Sequence, residues 1–269
     1  MSKNIVIIGG GIVGLSTAYY LHKAGHEVTV IDKSDITAGA SFVNAGYITP
    51  SHIIPLASPG MIAQGIKMMF NSASPFYMKP RLEMDFLKWS WYFHKSSTKA
   101  KVEKAIPVIK DINILSRELY SDIKSSRDLD DFQLERKGLL MLYKTEKSYL
   151  HEAEVAQKAS FLGLEVNELN KEELQSMEPN IKINALGAIH YECDGHMTPT
   201  EFMPKMLDYL RKVGVQIKTK EEVLDIVFND QKVIAIKTDK GSYKPEEVVM
   251  AAGSWSGELS KKLKIKLKT

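Results

Sequence analysis

Ile5–Lys33 reads IVIIGGGIVGLSTAYYLHKAGHEVTVIDK. Its first four residues, Ile5–Val6–Ile7–Ile8, are apolar and β-branched throughout, the composition of a strand buried on both faces. The run stops at Gly9–Gly10–Gly11. Ile12, Leu15, Ala18, Tyr19 and Leu21 then recur at threes and fours, which predicts a helix closed by Gly25. Val28, Val30 and Ile31 predict a second strand that ends at Asp32. The stretch is one βαβ unit, with G-x-G-x-x-G at Gly9, Gly11 and Gly14.

Each glycine of that pattern has a physical use. Gly9 allows the tight turn out of the strand. Gly11 removes a side chain where a pyrophosphate must approach the backbone. Gly14 lets the helix pack close to the sheet. The helix that starts near Gly11 turns its unpaired N–H groups and positive dipole end toward phosphate. Asp32 stands about 20 residues on, where a carboxylate accepts from ribose hydroxyls. The bare pattern is common in glycine-rich turns. Between a strand and a helix, with the acid in place, it selects dinucleotide binding.

Bulk properties narrow the classes. The chain has 269 residues, 44% hydrophobic and 26% charged, as expected of a globular protein with one or two domains. Its net charge is +3 with Lys and Glu interspersed, so no nucleic-acid footprint is expected. The single cysteine, Cys193, has no internal disulfide partner and is read as a small buried hydrophobe. His190, Cys193 and His196 lie close but lack further ligands, so no metal site is expected. There is no signal-like segment and no apolar run of the ~20 residues a spanning helix needs. The expected location is cytoplasmic, with peripheral contact with the inner membrane left open.

After Asp32–Lys33 comes SDITAGASFVNAGYITPSH, a loop-like stretch of small residues closed by Pro50. Further on, Val248–Met250 reads as a strand that stops at Ala251–Ala252–Gly253–Ser254–Trp255. The opening fingerprint, Asp32–Lys33 and Ala40–Ser41–Phe42–Val43–Asn44–Ala45–Gly46 resemble the FAD-dependent amine and amino-acid oxidoreductases of the D-amino-acid oxidase superfamily. Within it the chain is most similar to bacterial D-amino-acid dehydrogenases, which carry a similar S-F-x-N-A-G.

That resemblance implies an α/β fold: a Rossmann-like FAD-binding domain, made of the βαβ unit and a β-meander, with an inserted α+β substrate or cap domain. It implies FAD contacts from Ile8, Gly9, Gly10, Gly11, Ile12, Val13, Gly14, Asp32, Lys33, Ala40, Ser41, Asn44, Ala45, Gly46, Val223, Ala252, Gly253 and Trp255. Some relatives link FAD covalently through a His just before the Ala–Gly pair; here Val43 and Asn44 stand there, which implies non-covalent FAD. The implied reaction oxidises the C–N bond of a D-amino acid by hydride transfer to flavin. A glycine, sarcosine, proline or hydroxyproline enzyme and a truncated, non-catalytic FAD-binding protein are the alternatives. The electron acceptor, quinone or oxygen, is left open. Family members run well past Thr269, so the part of the fold that usually supplies the carboxylate-binding arginine is expected to be missing. No catalytic residue is assigned; Tyr47, His52 and Arg81 are candidate substrate-side groups.

The expected organisation is an FAD-binding domain over 1–50 and 194–258, a cap over 51–193, and a connection over 259–269. In the cap, Phe86, Trp89 and Phe93 recur at helical spacing, as do Met61, Gln64, Ile66 and Met68 more loosely. Core packing is expected of them, with a membrane- or quinone-facing patch as the alternative. A long amphipathic helix is expected over Lys99–Phe132, its apolar face marked by Ile106, Ile109, Ile112, Leu115 and Leu119, with Pro107 in its first turn or at a kink. Leu139–Tyr143 reads as a buried strand, Ser148–Leu162 and Lys171–Met177 as helices, and Leu186–Tyr191 as a strand. Thr198 is expected to cap a helix through Leu210, ended by Gly214. A meander over Val215–Lys218, Val223–Phe228 and Val233–Thr238 precedes a buried strand, Glu247–Met250. At the end Leu263, Ile265 and Leu267 alternate with Lys264, Lys266 and Lys268, the pattern of a strand with one wet face.

Overall fold

A computed structural model describes residues 1–69, 83–230 and 232–262. Arg81 and the alternation over 263–269 lie outside the described residues. In chain order the elements begin β1 (Asn4–Ile8), α1 (Ile12–Lys23), β2 (Glu27–Ile31), β3 (Tyr47–Ile48), α2 (Met61–Met69), α3 (Met84–Ser96) and α4 (Lys99–Ser126). There follow β4 (Leu134–Glu135), β5 (Leu139–Tyr143), α5 (Glu146–Phe161), β6 (Val166–Asn170), α6 (Lys171–Met177), β7 (Gly187–Tyr191) and β8 (Gly195–Met197). The last are α7 (Pro199–Lys212), β9 (Gln216–Lys218), β10 (Val223–Asn229), β11 (Lys232–Thr238), β12 (Ser242–Tyr243), β13 (Glu247–Met250) and α8 (Ser256–Lys262). They fall into two units. One holds Met1–Gly46, Asp122–Leu134 and the chain from Met197 onward; the other holds Tyr47–Ser121 and Glu135–His196.

The first unit is built on a parallel sheet in the order β13-β1-β2-β9. Parallel strands are covered on both faces, which is why β1 is apolar at every position from Ile5 to Ile8. On one face Val6, Ile8 and Ile31 pack with Val223, Ile226, Ile236 and Leu259. α1 packs on β2 and on α7, burying Leu15, Ala18 and Tyr19, and α7 buries Phe202, Met203, Met206 and Leu210. The strand at Gln216–Lys218 is a correction to the expected meander. It pairs in parallel with β2, and the antiparallel sheet is β10-β11-β12. Gly214 at φ +93 turns the chain after α7 so that β9 enters the parallel sheet. Thr198 occupies the N-cap of α7 without side-chain capping; its hydroxyl donates instead to Gln133 Oε1 at 2.7 Å.

Residues 122–134 belong to this first unit, where the sequence places them within the cap. α4 stops at Ser126, short of Phe132, because Arg127 and Asp130 take left-handed φ values of 57° and 55° that end a right-handed helix. Leu129 and Phe132 are then buried, with the Phe132 ring 5.2 Å from that of Phe202. Asp128 accepts from the Tyr19 hydroxyl at 2.6 Å and the Lys23 ammonium at 2.7 Å. Lys23 foremost, then Tyr19, holds the Asp128 carboxyl below its usual range, and Lys23 is raised by its bonds to Asp128 and to the Tyr19 hydroxyl. A depressed carboxylate stabilises the fold above its ordinary value and loses that contribution as pH falls through its folded value. Asp128→Asn is therefore expected to lower stability by about 1 kcal/mol near neutrality, after discounting for exposure, and the deficit should vanish in acid. Denaturant melts of both proteins across the acid limb check this.

The second unit carries an antiparallel sheet in the order β5-β7-β6, and β3 pairs with β8 through Tyr47–His196 and Ile48–Gly195. Its core gathers Ile53, Ile106, Tyr143, Ala159, Leu164, Ile189, Tyr191 and Cys193. Reciprocal capping boxes start α5 at Thr145, with Ser148, and α6 at Asn170, with Glu173. β5 is not the fully buried strand expected. Only Tyr143 is buried and Leu142 is exposed, since β5 edges its sheet.

Two further expectations fail here. The inward stripe of α4 runs through Val102, Ile106 and Ile114, while Ile112 and Leu115 face out. Arg117 lies farther along, its Nη1 donating to Cys193 O at 2.9 Å, so part of the covered surface is polar. Pro107 sits inside the helix, beyond its first turn. No residue of α3 is buried, against the core packing expected of its aromatics. Its rings instead meet along the helix, Phe86 stacked on Trp89 at 6.0 Å and Trp89 tilted against Phe93 at 5.2 Å. In α2, Met61 and Met68 are half-buried and Gln64 is exposed. Among the described residues no helix is long and apolar enough to cross a membrane.

Candidate dinucleotide-binding site

The first unit brings the opening turn, Asp32, the Ala40–Gly46 loop and the Ala251–Trp255 segment onto one framework of hydrogen bonds. Gly9 N donates to Ile31 O and Ala251 N donates to Ile8 O, each at 2.8 Å, so the turn is tied to the strands on both sides. Gly9 has φ +112, and a Cβ there would lie 2.3 Å from Ala251 O. Gly14 sits in the first turn of α1, and a Cβ on it would lie 1.8 Å from Gly9 O. Both glycines are required by the fold itself.

Gly11 is different. It is the N-cap of α1 with φ −72 and ψ −177, extended backbone open to any residue. Among the described residues, a Cβ there would meet Ser41 Oγ at 3.2 Å. The backbone is unstrained and the one tight neighbour is a side-chain hydroxyl that has to give by a few tenths of an ångström, so the missing side chain leaves room above a helix N-terminus. This is the cradle a pyrophosphate needs, and the residues present fit FAD. Ser41 Oγ accepts from Ile12 N at 2.9 Å, which places a hydroxyl at the same helix end. Val13 projects outward, with its side chain exposed.

Asp32 is held in place by backbone. Its Oδ2 accepts from Gly10 N at 2.6 Å, and Oδ1 accepts from the N–H and hydroxyl of Ser34, each at 2.7 Å. The carboxylate is thus pinned beside the glycine turn, where ribose hydroxyls would reach it. Asp32→Asn keeps an acceptor but loses the charge and one of these bonds. We expect it to fold normally and to bind FAD about tenfold more weakly, read by flavin fluorescence titration.

The Ala40–Gly46 loop is ordered by Asn44. Its Nδ2 donates to Ala40 O and Ser41 O at 2.9 and 3.2 Å, and its Oδ1 accepts from Gly46 N at 2.8 Å. Gly46, at φ +68, lies so close to Met197 O that a Cβ would be 1.8 Å away. Ala45 is exposed at the tip. On the other side Lys33 Nζ stands 4.4 Å over the Trp255 ring, joining the residue after the acid to the turn after β13. Ala252 packs on the Val223 cluster, and Gly253 is exposed. Val223 itself is buried, and the backbone just before it runs along the acid loop: Lys220 N donates to Ser34 O and Glu221 N to Asp32 O.

Two features here were not read from the sequence. Ile36 is buried at φ +59, and its Cδ1 lies 2.4 Å from where a Gly10 Cβ would be, so Gly10 is glycine to admit Ile36. A lone isoleucine in a polar loop is the available signal. Glu221 is buried and accepts from Thr238 Oγ1 at 2.6 Å and the Tyr243 hydroxyl at 2.8 Å. Burial and that carboxylate push the Tyr243 phenol up to about 12. Nothing local marks Glu221, because its partners come from β11 and β12.

In the second unit Tyr47 is exposed opposite His196, and His52 is exposed beside buried Ser51. Cys193 is buried, and burial together with Asp194 pushes its thiol up to about 12, the state of an inert packing residue.

Comparison with known proteins agrees with this geometry. Residues 4–269 match the DAO family model, described as FAD dependent oxidoreductase. A D-amino acid dehydrogenase of Helicobacter pylori (strain ATCC 700392 / 26695) is 31% identical over 254 residues, covering 94% of this chain and 60% of the relative. One of Vibrio atlanticus (strain LGP32) is 26% identical, covering 98% and 64%. The chain therefore spans about 60% of the length of the Helicobacter relative. Among solved structures, glycine oxidase from Geobacillus kaustophilus superposes with a TM-score of 0.72 at 21% identity, covering 99% of this chain and 59% of that one. L-proline dehydrogenase from P. horikoshii gives 0.68 at 22%, covering 99% and 57%. With a glycine turn open at Gly11 and a pinned acid beyond it, the family match over residues 4–269 places this chain in the DAO family of FAD-dependent oxidoreductases.

Proposed function

We propose that the chain is the FAD-binding and cap part of an enzyme that oxidises D-amino acids to 2-oxo acids and ammonia. The observation that carries this reading is the 31% identity, over 94% of the chain, to a D-amino acid dehydrogenase. The likenesses to glycine oxidase and L-proline dehydrogenase, at 21% and 22% identity, concern the fold and carry no substrate.

When bound, FAD supplies the hydride acceptor for the substrate Cα–H. The chain's own contribution is to hold that group. The N-terminus of α1 and the space at Gly11 take the pyrophosphate, Asp32 takes the ribose, and Val223 lines the adenine end. Ala40, Ser41, Asn44, Ala45 and Gly46, with Ala252, Gly253 and Trp255, form the remaining wall. Val43 and Asn44 offer no imidazole for a covalent link, which supports non-covalent FAD. The exposed aromatics of α3 support an acceptor reached at a lipid surface, such as a quinone.

The test is anaerobic mixing of the purified flavin-loaded protein with D-alanine, glycine, sarcosine and L-proline in turn, watching the flavin band. Bleaching by D-alanine alone is expected. Bleaching by glycine, sarcosine or proline alone would move the enzyme to a neighbouring substrate class, and no bleaching by any amine would make it a non-catalytic binder.

A further inference from the structure

We propose that Glu221 is the positioning residue of Asp32: buried behind the turn that follows β9, it holds the ribose-binding carboxylate in place. Every residue involved lies in the first unit. Both main-chain polar groups of Asp32 are bound by that turn. Asp32 N donates to Lys218 O at 2.9 Å, and Asp32 O accepts from Glu221 N at 3.0 Å. Lys220 N adds a 2.7 Å bond to Ser34 O. Ser34 is in turn the residue whose N–H and hydroxyl both bond Asp32 Oδ1. The turn therefore sets where the carboxylate sits.

The turn does not support itself. Lys220 takes φ +51, a left-handed conformation that costs free energy in any residue with a Cβ. β10 gives weak support from the far end, because a register shift between Val223 and Asp225 separates the Val223–Thr238 pair from the rest of its ladder. The Glu221 side chain supplies the tie. It is 5% exposed, and its Oε1 accepts from both Thr238 Oγ1, at 2.6 Å, and the Tyr243 hydroxyl, at 2.8 Å. One oxygen thus joins the turn to β11 and β12. Among the described residues its partners are these two hydroxyls, so burying its charge is costly. A leucine would fill the space without that cost, but it could not fix two hydroxyls to one point. That marks a group that sets position rather than one that adds stability. Without it, Lys220 relaxes toward right-handed backbone and carries the Glu221 N–H away from Asp32. The effect on ligand runs through Asp32 alone, and so rests on the reading above that this acid takes the ribose of FAD.

A double-mutant cycle on the flavin-free protein tests this, read by titration with FAD and with FMN. Glu221→Leu should weaken FAD about fivefold and leave FMN, which lacks the ADP half, unchanged. Glu221→Gln keeps the accepting oxygen and should bind FAD within about twofold of wild type. Tyr243→Phe removes one donor and keeps the ring; it should weaken FAD about threefold, and it carries the cycle if Glu221→Leu does not fold. In an Asp32→Asn background neither Glu221→Leu nor Tyr243→Phe should weaken FAD further. Four results would overturn the proposal: FAD and FMN weakened in the same proportion, Glu221→Gln as weak as Glu221→Leu, the full loss recurring in Asp32→Asn, or FAD binding unchanged in both Glu221→Leu and Tyr243→Phe. Failure of the underlying reading shows separately, as wild-type FAD affinity in Asp32→Asn alone, and would take the proposal with it.

Discussion

Gly14→Val should fail to give a stably folded FAD-binding unit. Even the first carbon of the new side chain would lie 1.8 Å from Gly9 O and 3.0 Å from Gly9 C. Neither is the free end of a side chain that can swing away. Gly9 is held by its bond to Ile31 O and by its own φ of +112, and Ala251 O blocks its other side. Relief requires α1 to move off β1, opening the contacts of Leu15, Ala18 and Tyr19. Overpacking in a tight core commonly costs about 1–3 kcal/mol, and a clash against fixed backbone belongs at or above the top of that range. The thermal midpoint should fall by on the order of 10 °C, if the protein accumulates at all. A normal midpoint would mean that α1 does not close on the turn as described.

Gly11→Val should do the reverse, folding normally while losing the cofactor. Its backbone is extended, and among the described residues the atom that meets a new Cβ is Ser41 Oγ at 3.2 Å, which has to give by a few tenths of an ångström. The stability cost should stay under about 1 kcal/mol. FAD affinity should drop by about a hundredfold or more, because the added methyls occupy the approach of the pyrophosphate to the helix N-terminus. Circular dichroism melts and FAD titration on the same sample separate the two effects. The pair would divide the glycine pattern by purpose as the motif leads one to expect, Gly14 for packing and Gly11 for the ligand.

What could be read from the chain alone follows physical locality. β1, α1 and β2 were legible because their signals are short-range: an apolar run, a 3.6 period, glycines at fixed offsets and an acid at the strand end. α6 was legible as a short helix stopping before Pro179, although its capping box at Asn170 and Glu173 was not read. β9 was misplaced because three residues carry no mark of a partner at Thr29–Ile31, far back in the chain. The inward face of α4 was rotated because apolar spacing does not anticipate Arg117 bonded to the carbonyl of Cys193. For α3, aromatic periodicity is the same whether the rings enter a core or stack on one another in the open. At the site, the glycine turn and Asp32 stood out. Ile36 and the Lys220–Glu221 backbone did not, since each depends on contacts across the fold.

We propose that the open N-terminus of α1 at Gly11 and the acid at Asp32 read the ADP half of FAD. Equilibrium titration of the flavin-free protein with FAD and with FMN, which carries the same redox ring without that half, tests it most directly. FAD should bind at least about a hundredfold more tightly than FMN. Equal affinity for the two would contradict it.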